Sequence, residues 1–517
     1  MNCMRGVRHC AAVLAIGVLP ALSQAAGLPV SVQRMLDRAG VAKGGYSVLV
    51  VAPGQREPEI EHAADIARNP ASAMKLLTTL AALDLLGPEF KWQTGVFTLG
   101  RVRRGVLEGD LIIQGGNDPT FSAARLVDLV KLVRKQGIRE IAGNVLIERS
   151  LYTARVEEQR NFVAEQRNPI NAPPDSMAVN GKMIILSLQP DRLKRAVAVS
   201  HSPALSVIRL SGAIELAGGP CPTGWKERLV IEVEGVAESA VIRVGGEIAE
   251  GCGPRAVAIS LLGHFEFARA AFVDAWRGAG GTLGGDVHTI ERLPFGARRL
   301  DALFSPPLVD VVREINKTSN NMMARQLYLQ LGIAPPPLPL LPQPKTVRGD
   351  RAPRPDIAPD VANEKKAALL AERANVRIRE WLAERDLVIP GLVLENGAGL
   401  SVAERLTARG LVRLLAYASG RPFAAEFIDS LPLAGMDGTM RQRLRDSGAS
   451  GAASLKTGTL SEVRALAGYL RNEGKPARVI VFFVNDHNAA ASVAAMDHLI
   501  ELLHANGKPA GVKPALH

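Results

Sequence analysis

Strand-forming and helix-forming runs stand at the two ends of this chain, and a long segment of different texture separates them. Near the start, Tyr46 to Ala52 is β-branched and apolar, the pattern of a buried strand. A helix is predicted from Asn69-Pro70, with Asn as cap and Pro at the first helical position, through about Leu86 to the stop at Gly87-Pro88. Near the end, Val463 to Arg471 and Arg478 to Val484 read as strands around the turn Asn472-Glu473-Gly474-Lys475-Pro476, and an amphipathic helix follows over roughly Ala489 to Leu503. The middle, about Gly87 to Phe295, carries short alternating runs such as Leu229 to Val233 and Val241 to Val244, broken by many glycines. It reads as β-rich inserted material. A chain of 517 residues is too long for one core and suggests roughly three to four structural units.

After the insert, Ser305-Pro306-Pro307-Leu308 leads into a helical pattern from Val309 to Ile315, and a helix-like stretch ends near Gly332. Nine prolines then fall between Ala334 and Pro359, so this segment is expected to be an exposed, poorly ordered loop. The first residues, Met1 to Ala26, place Arg5 and Arg8 ahead of an apolar run from Ala11 to Leu22 and the small residues Ser23-Gln24-Ala25-Ala26. That is the layout of a secretory signal peptide cleaved near Ala25 or Ala26, and the run is short for a membrane anchor. The mature protein is expected to be soluble outside the cytoplasm.

Removal of the signal leaves Cys221 and Cys252 as one pair in a compartment where disulfides persist. We expect them to bond to each other; two separate buried thiols are the alternative. Neither they nor the nine histidines show metal-ligand spacing, so no metal is expected. The formal charge of +11 attracts polyanions. The basic residues are scattered, without an aromatic-studded stretch, and export argues against nucleic acid. Peripheral association with an anionic envelope surface fits better.

Three short motifs carry chemistry: Ser72-Ala73-Met74-Lys75, Ser319-Asn320-Asn321 and Lys456-Thr457-Gly458. Positions three apart share a helix face, so Ser72 and Lys75 can set a hydroxyl beside an amine. A serine hydroxyl needs a base to take its proton, and a lysine serves only where burial or another cation lowers its pKa. Lys456 could be that cation. Its triplet precedes an apolar strand-like run and can begin an edge strand along which an extended peptide pairs, with Lys456 and Thr457 holding a terminal carboxylate. Glycine at 458 would let the peptide approach. Each motif also has a plainer reading: a chance Ser-Lys spacing, a helix cap at Ser319-Asn320-Asn321, a turn at Lys456-Thr457-Gly458.

Together and in this order the motifs are closely similar to the signature of penicillin-binding proteins and class A β-lactamases, with Asn320 where many of those proteins have Asp. The chain resembles the class C, low-molecular-mass penicillin-binding D-alanyl-D-alanine carboxypeptidase/endopeptidases. The resemblance extends over nearly the whole mature chain through Pro70-Ala71-Ser72 with Leu76-Leu77-Thr78, Gly115-Gly116-Asn117-Asp118-Pro119-Thr120, Asn171-Ala172-Pro173-Pro174, Asn396-Gly397-Ala398-Gly399-Leu400-Ser401 and Leu431 to Thr439. About 240 residues separate Lys75 from Ser319, a gap that this class fills with two inserted domains.

The resemblance implies a mixed α/β (α+β) fold: a transpeptidase/β-lactamase-like domain with a five-stranded antiparallel sheet and a helical lobe, interrupted by β-rich inserted domains. On that reading residues 1–26 are the signal peptide, 27–86 and 299–517 the transpeptidase-like domain, 87–180 and 259–298 inserted domain II, 181–258 the β-rich inserted domain III, and 334–359 the Pro-rich loop. It also implies roles. Ser72 attacks the penultimate D-alanine carbonyl, Lys75 takes the proton, and Ser319 passes one to the leaving amine. The N–H groups of Ser72 and Thr459 form the oxyanion hole, and Asn321, Lys456, Thr457 and Gly458 bind substrate. Peptidoglycan peptides and β-lactams are the implied partners, the periplasm the implied place, and no cofactor is needed. Two other readings share these motifs: a β-lactamase, against which chain length argues, and a non-catalytic wall-binding protein.

Overall fold

Tyr46–Val51 is buried because it lies inside a sheet. It pairs antiparallel with Lys475–Asn485 on one side, Tyr46 opposite Val484, and with Ile60–His62 on the other. The five-stranded sheet continues through Val463–Asn472 to Ala453–Leu460, every neighbour antiparallel. In this computed structural model the described residues are 27–52, 55, 57–152, 172–234, 239–333, 361–472 and 475–506. The expected signal peptide and Pro-rich loop lie outside them, as do Asn171 and the turn residues Glu473 and Gly474.

The run Val479 to Val484 is apolar at every position because both faces of the sheet are covered. Ile480, Phe482 and Val484 pack with Val32 and Leu36 of the helix Val30–Arg38 and with Met496 and Leu499 of Val493–Asn506. Val479, Val481 and Phe483 share the opposite core with Leu80 of the helix Met74–Leu86 and Leu411 and Leu415 of Ala408–Ser419. Met74–Leu86 is buried around its whole circumference from Met74 to Leu83, so its apolar residues need no single face. It lies among Leu308–Thr318, Asn321–Gly332 and Val361–Ala383, the helical lobe.

Two details of the expected first helix differ. A 3₁₀ turn, Ala71–Ala73, precedes the α-helix, which starts at Met74, so Pro70 stands before the first turn rather than in it. Here Ala71 takes φ 43°, the left-handed region, which breaks α geometry between Asn69 and Ser72. Gly87 ends the helix at φ 85°, as a glycine stop should.

The middle of the chain forms two sheets of seven strands. One is built on Gln93–Arg103 and Val106–Gln114, with Arg298–Phe304 pairing the outer side of Gln93–Arg103. The helices Ala123–Lys135 and His264–Gly278 contribute Leu129, Val133, Phe267 and Phe272 to its core. The other joins Met183–Asp191, Ala196–Ser202, Arg255–Ser260 and Ala240–Ala249 with shorter strands. Here the alternating runs seen in the sequence meet: Ile231 lies opposite Val244 and Val233 opposite Ile242. Cys221 and Cys252 form a disulfide 31 positions apart beside this sheet.

Asp84 fastens the end of the Met74–Leu86 helix to the lobe. Its side chain is 2% exposed and accepts from Trp381 Nε1 at 2.8 Å, Arg385 Nε at 2.7 Å and Tyr417 OH at 2.9 Å, with Arg421 3.1 Å away. Burial pushes the Asp84 carboxyl up, but the bonds from Trp381 and Tyr417, the charge of Arg421 and the bond from Arg385 outweigh it and hold it below its ordinary value. Asp84→Ala should cost about 2–3 kcal/mol by denaturant unfolding, since it leaves the buried Trp381 Nε1 without an acceptor beside the partly exposed Arg385 and Arg421. Asp84's contribution is present above its unfolded pKa of about 4 and should be lost as the pH falls through the lower folded value. Replacing both Cys221 and Cys252 by alanine removes a closed loop worth roughly 3–4 kcal/mol in the chain-entropy model, and the same measurement checks it.

Candidate active site

The turn before Ser72 is bolted to the far end of the chain. Asn485 Oδ1 accepts from Asn69 N–H at 2.8 Å and its Nδ2 donates to Asn69 O at 3.0 Å, while Asn69 Oδ1 accepts from Ala71 N–H at 2.8 Å. This clamp holds Ala71 in its left-handed conformation and presents Ser72, half-buried, at the mouth of the helix. One turn on, Lys75 is fully buried.

Lys75 Nζ lies 3.0 Å from Ser72 Oγ, 2.6 Å from Asn321 Oδ1 and 2.5 Å from the Ala398 carbonyl oxygen. The last two oxygens can only accept. A neutral amine therefore gives them its two N–H groups and has its lone pair left for the Ser72 hydroxyl proton. Burial first, then the charge of Lys456, holds Lys75 well below the ordinary lysine range, with Glu404 partly opposing them.

Lys456 is also fully buried, and burial brings its pKa down to about 7. Its Nζ donates to Ser319 Oγ at 2.8 Å and to the Thr457 carbonyl at 2.7 Å. Ser319 sits between two helices with φ 58° and ψ 35°, ending Leu308–Thr318. Asn320 caps the next helix, its side chain accepting from Met323 N–H at 3.1 Å. The cap reading of this motif thus belongs to Asn320, which leaves Ser319 and Asn321 on either side of it to face the two lysines.

Lys456-Thr457-Gly458 is a strand and not a turn: it lies in Ala453–Leu460, at the edge of the five-stranded sheet. The first part of that edge is covered, with Leu455 N–H donating outward to Pro432 O at 2.7 Å and Ala434 N–H to Ala453 O at 2.9 Å. By strand alternation Thr457 and Thr459 turn their N–H groups the same way as Leu455, past the end of this cover. Gly458 is what lets the strand come so close to the turn before Ser72. A Cβ there would stand 2.7 Å from Pro70 O and 3.0 Å from Ala71 Cβ. Thr457 Oγ1 also donates to Thr439 Oγ1 at 2.7 Å.

Ser72, Lys75 and Asn321 are therefore joined in one hydrogen-bonded set and Ser319 and Lys456 in a second, the two lysines interacting through their charges, and Thr457, Gly458 and Thr459 follow Lys456 along the strand edge. Cys221 and Cys252 lie elsewhere, on the insert. Among the described residues no group of three or more His, Cys, Asp or Glu side chains is gathered to hold a metal ion. Three contributors were not singled out from the sequence. Ala398 acts through a main-chain carbonyl, which leaves no mark in a side-chain pattern. Glu404 approaches from beneath, and Thr439 reaches the strand edge from the segment Leu431 to Thr439.

Residues 31–338 and 357–506 match the model of the D-Ala-D-Ala carboxypeptidase 3 (S13) family. A D-alanyl-D-alanine carboxypeptidase of an Actinomadura species is 26% identical over 525 residues, covering 95% of this chain and 89% of that protein. The D-alanyl-D-alanine carboxypeptidase DacB of Haemophilus influenzae is 21% identical over 426 residues, 81% of this chain and 80% of its own. The crystal structure of penicillin binding protein 4 from Haemophilus influenzae has the same fold, with a TM-score of 0.68 at 19% identity over 92% of this chain and 99% of that one. The same protein complexed with a β-lactam gives 0.65 at 19% identity over 92% and 100%. With the strands of the five-stranded sheet and both seven-stranded sheets inside the matched ranges, the chain belongs to the D-Ala-D-Ala carboxypeptidase 3 (S13) family.

Proposed function

We propose that this chain is a serine D-alanyl-D-alanine carboxypeptidase and endopeptidase that acts on peptidoglycan stem peptides through an acyl-enzyme on Ser72 and is inhibited by penicillins. The observation that carries the reading is the 3.0 Å contact of a fully buried Lys75 amine with the Ser72 hydroxyl, with a second buried lysine held on Ser319. Family membership supplies the substrate class, and the relative solved with a β-lactam supports the inhibitor class.

In the proposed reaction Lys75 Nζ takes the Ser72 proton as Oγ bonds to the penultimate D-alanine carbonyl carbon. The oxyanion rests on the N–H groups of Ser72 and Thr459, each donor worth roughly 3–4 kcal/mol. The C–N bond then breaks as the proton taken by Lys75 is relayed through Ser319 to the leaving D-alanine amine, which returns Lys75 to its neutral form. Water attacks the ester, and the proton it gives up restores the Ser72 hydroxyl. Lys456 and Thr457 hold the terminal carboxylate, Asn321 holds Lys75 and a substrate amide, and Gly458 admits the peptide to the strand edge.

The division of the chain expected from the sequence is part of this reading, with the return from the insert drawn after Arg298–Phe304, because that strand pairs with Gln93–Arg103. We place the protein in the periplasm after cleavage near Ala25 or Ala26. A disulfide suits that compartment, and no helix among the described residues is long and apolar enough to cross a membrane. Peripheral association with the anionic envelope is supported by exposed Arg101, Arg103, Arg104, Arg298 and Arg299 near Phe295, itself 96% exposed.

Ser72→Ala should abolish covalent labelling by a fluorescent penicillin with its unfolding midpoint unchanged; labelling equal to the parent's would sink the assignment. Lys75→Arg should slow acylation at least about a hundredfold, because a guanidinium stays protonated at any working pH and cannot serve as base. Stopped-flow acylation rates across pH check this, and in the parent they should rise as Lys75 deprotonates, well below the ordinary lysine range.

A further inference from the structure

Beneath Lys75 lies a carboxylate for which the reaction above has no use. Glu404 is fully buried. Its Oε1 accepts from three consecutive main-chain N–H groups, Glu395 at 3.4 Å, Asn396 at 3.1 Å and Gly397 at 3.2 Å. Its Oε2 has no hydrogen-bond partner, and no cation lies within ion-pair distance of it among the described residues. The loop wrapped around it turns with Gly397 at φ 70° and Gly399 at φ 78°. That turn aims two carbonyls at the nucleophile helix: Gly397 O accepts from Thr78 Oγ1 at 2.7 Å, and Ala398 O takes Lys75 Nζ at 2.5 Å.

A neutral amide would accept the same three N–H groups just as well, so the loop's geometry alone does not call for an acid. A buried carboxylate with one bare oxygen is costly unless a nearby positive charge answers it. Such a charge develops when Lys75 takes the Ser72 proton. Lys456 cannot answer it, being of the same sign.

We infer that Glu404 is a positioning residue for the general base: it fixes the loop whose Ala398 carbonyl holds Lys75, and its negative charge favours the protonated Lys75 formed during acylation. The electrostatics agree in direction. Burial raises Glu404 to about 7, against the pull of the Asn396, Glu395 and Gly397 N–H groups and of Lys75, and Glu404 in turn raises Lys75. The other titratable groups around it are Lys456, behind Lys75, and Tyr328 on Asn321–Gly332, whose hydroxyl burial and then Glu404 hold in its neutral form. Arg405 points away, donating to the Val402 and Glu404 carbonyls.

The inference rests on Ser72 and Lys75 acting as proposed, and one experiment separates the two. The rate of acylation by a fluorescent penicillin is measured against pH for the full-length parent and for Glu404→Gln, with thermal unfolding as the control for folding. Loss of the charge should weaken Lys75 as a base, moving the rising limb of the profile to lower pH and lowering its plateau about tenfold. Glu404→Asn and Glu404→Asp, which differ only in charge, form a second pair in case the glutamine variant folds poorly, and the aspartate should recover the limb that the asparagine loses. Superimposable profiles within either folded pair overturn the role of Glu404 and leave the Ser72 reading standing. A parent that takes no label overturns both.

Discussion

Two lysines buried within one group of side chains are the constraint on which the rest of the site depends. An ammonium taken out of water must be paired, hydrogen-bonded or discharged, and two of them cannot both stay charged without strong compensation. The surrounding structure supplies acceptors one by one. Asn321 and the Ala398 carbonyl hold Lys75, and Ser319 and the Thr457 carbonyl hold Lys456. Each acceptor comes from a different part of the chain: a helix start, a loop, a junction between helices and a strand. Ser319 can serve only because the chain there adopts a left-handed conformation, which ends one helix and lets Asn320 begin the next. The proposed proton transfer from Ser72 follows from the same cost: an amine kept from holding a proton cheaply is one that can receive it in the reaction.

Much of this was legible in the residues. Ser72 and Lys75 share a face by helical spacing, and the apolar runs at Tyr46, Val463 and Arg478 are sheet strands because alternate residues feed two cores. The alternating runs in the middle of the chain pair with one another. What was not legible comes from groups that carry no side-chain signal or act across long distances. The Ala398 carbonyl would look the same with almost any residue at that position. Glu404 matters through a bare oxygen that only packing can reveal, and the 3₁₀ start of the nucleophile helix comes from the Asn69–Asn485 clamp rather than from Pro70. Asn320 shows the converse, since the helix cap weighed as the plainer reading of its motif is real and coexists with the site.

The stretch Gly115 to Thr120, noted in the sequence without a role, ties the insert to the lobe. Asn117, at φ 61°, donates to Gln326 O at 3.1 Å and to Gln330 Oε1 at 3.0 Å and accepts from Tyr152. Trp92 Nε1 donates to the same Gln330 oxygen at 2.9 Å, and Gln326 Nε2 reaches Asp175 O at 3.1 Å. All of these bonds but the one from Tyr152 fall on the helix Asn321–Gly332, the one whose first residue holds Lys75. The insert is thus anchored on the body of a helix that holds Lys75, through buried polar groups that tolerate little displacement.

The middle of the five-stranded sheet records how far apart in the sequence its partners lie. Tyr46–Val51 has Ile60–His62 close by on one side, but its other neighbour is Lys475–Asn485, and Asn69 waits for Asn485, 416 positions away. Both seven-stranded sheets can close on residues made in between, while the turn that shapes Ser72 cannot. Contacts of such long range form slowly and late. For a polypeptide threaded through a membrane from its first residue onward, the turn at Ser72 would therefore stay unshaped until almost all of the chain had crossed. An exported enzyme built in this way would be silent during its own delivery.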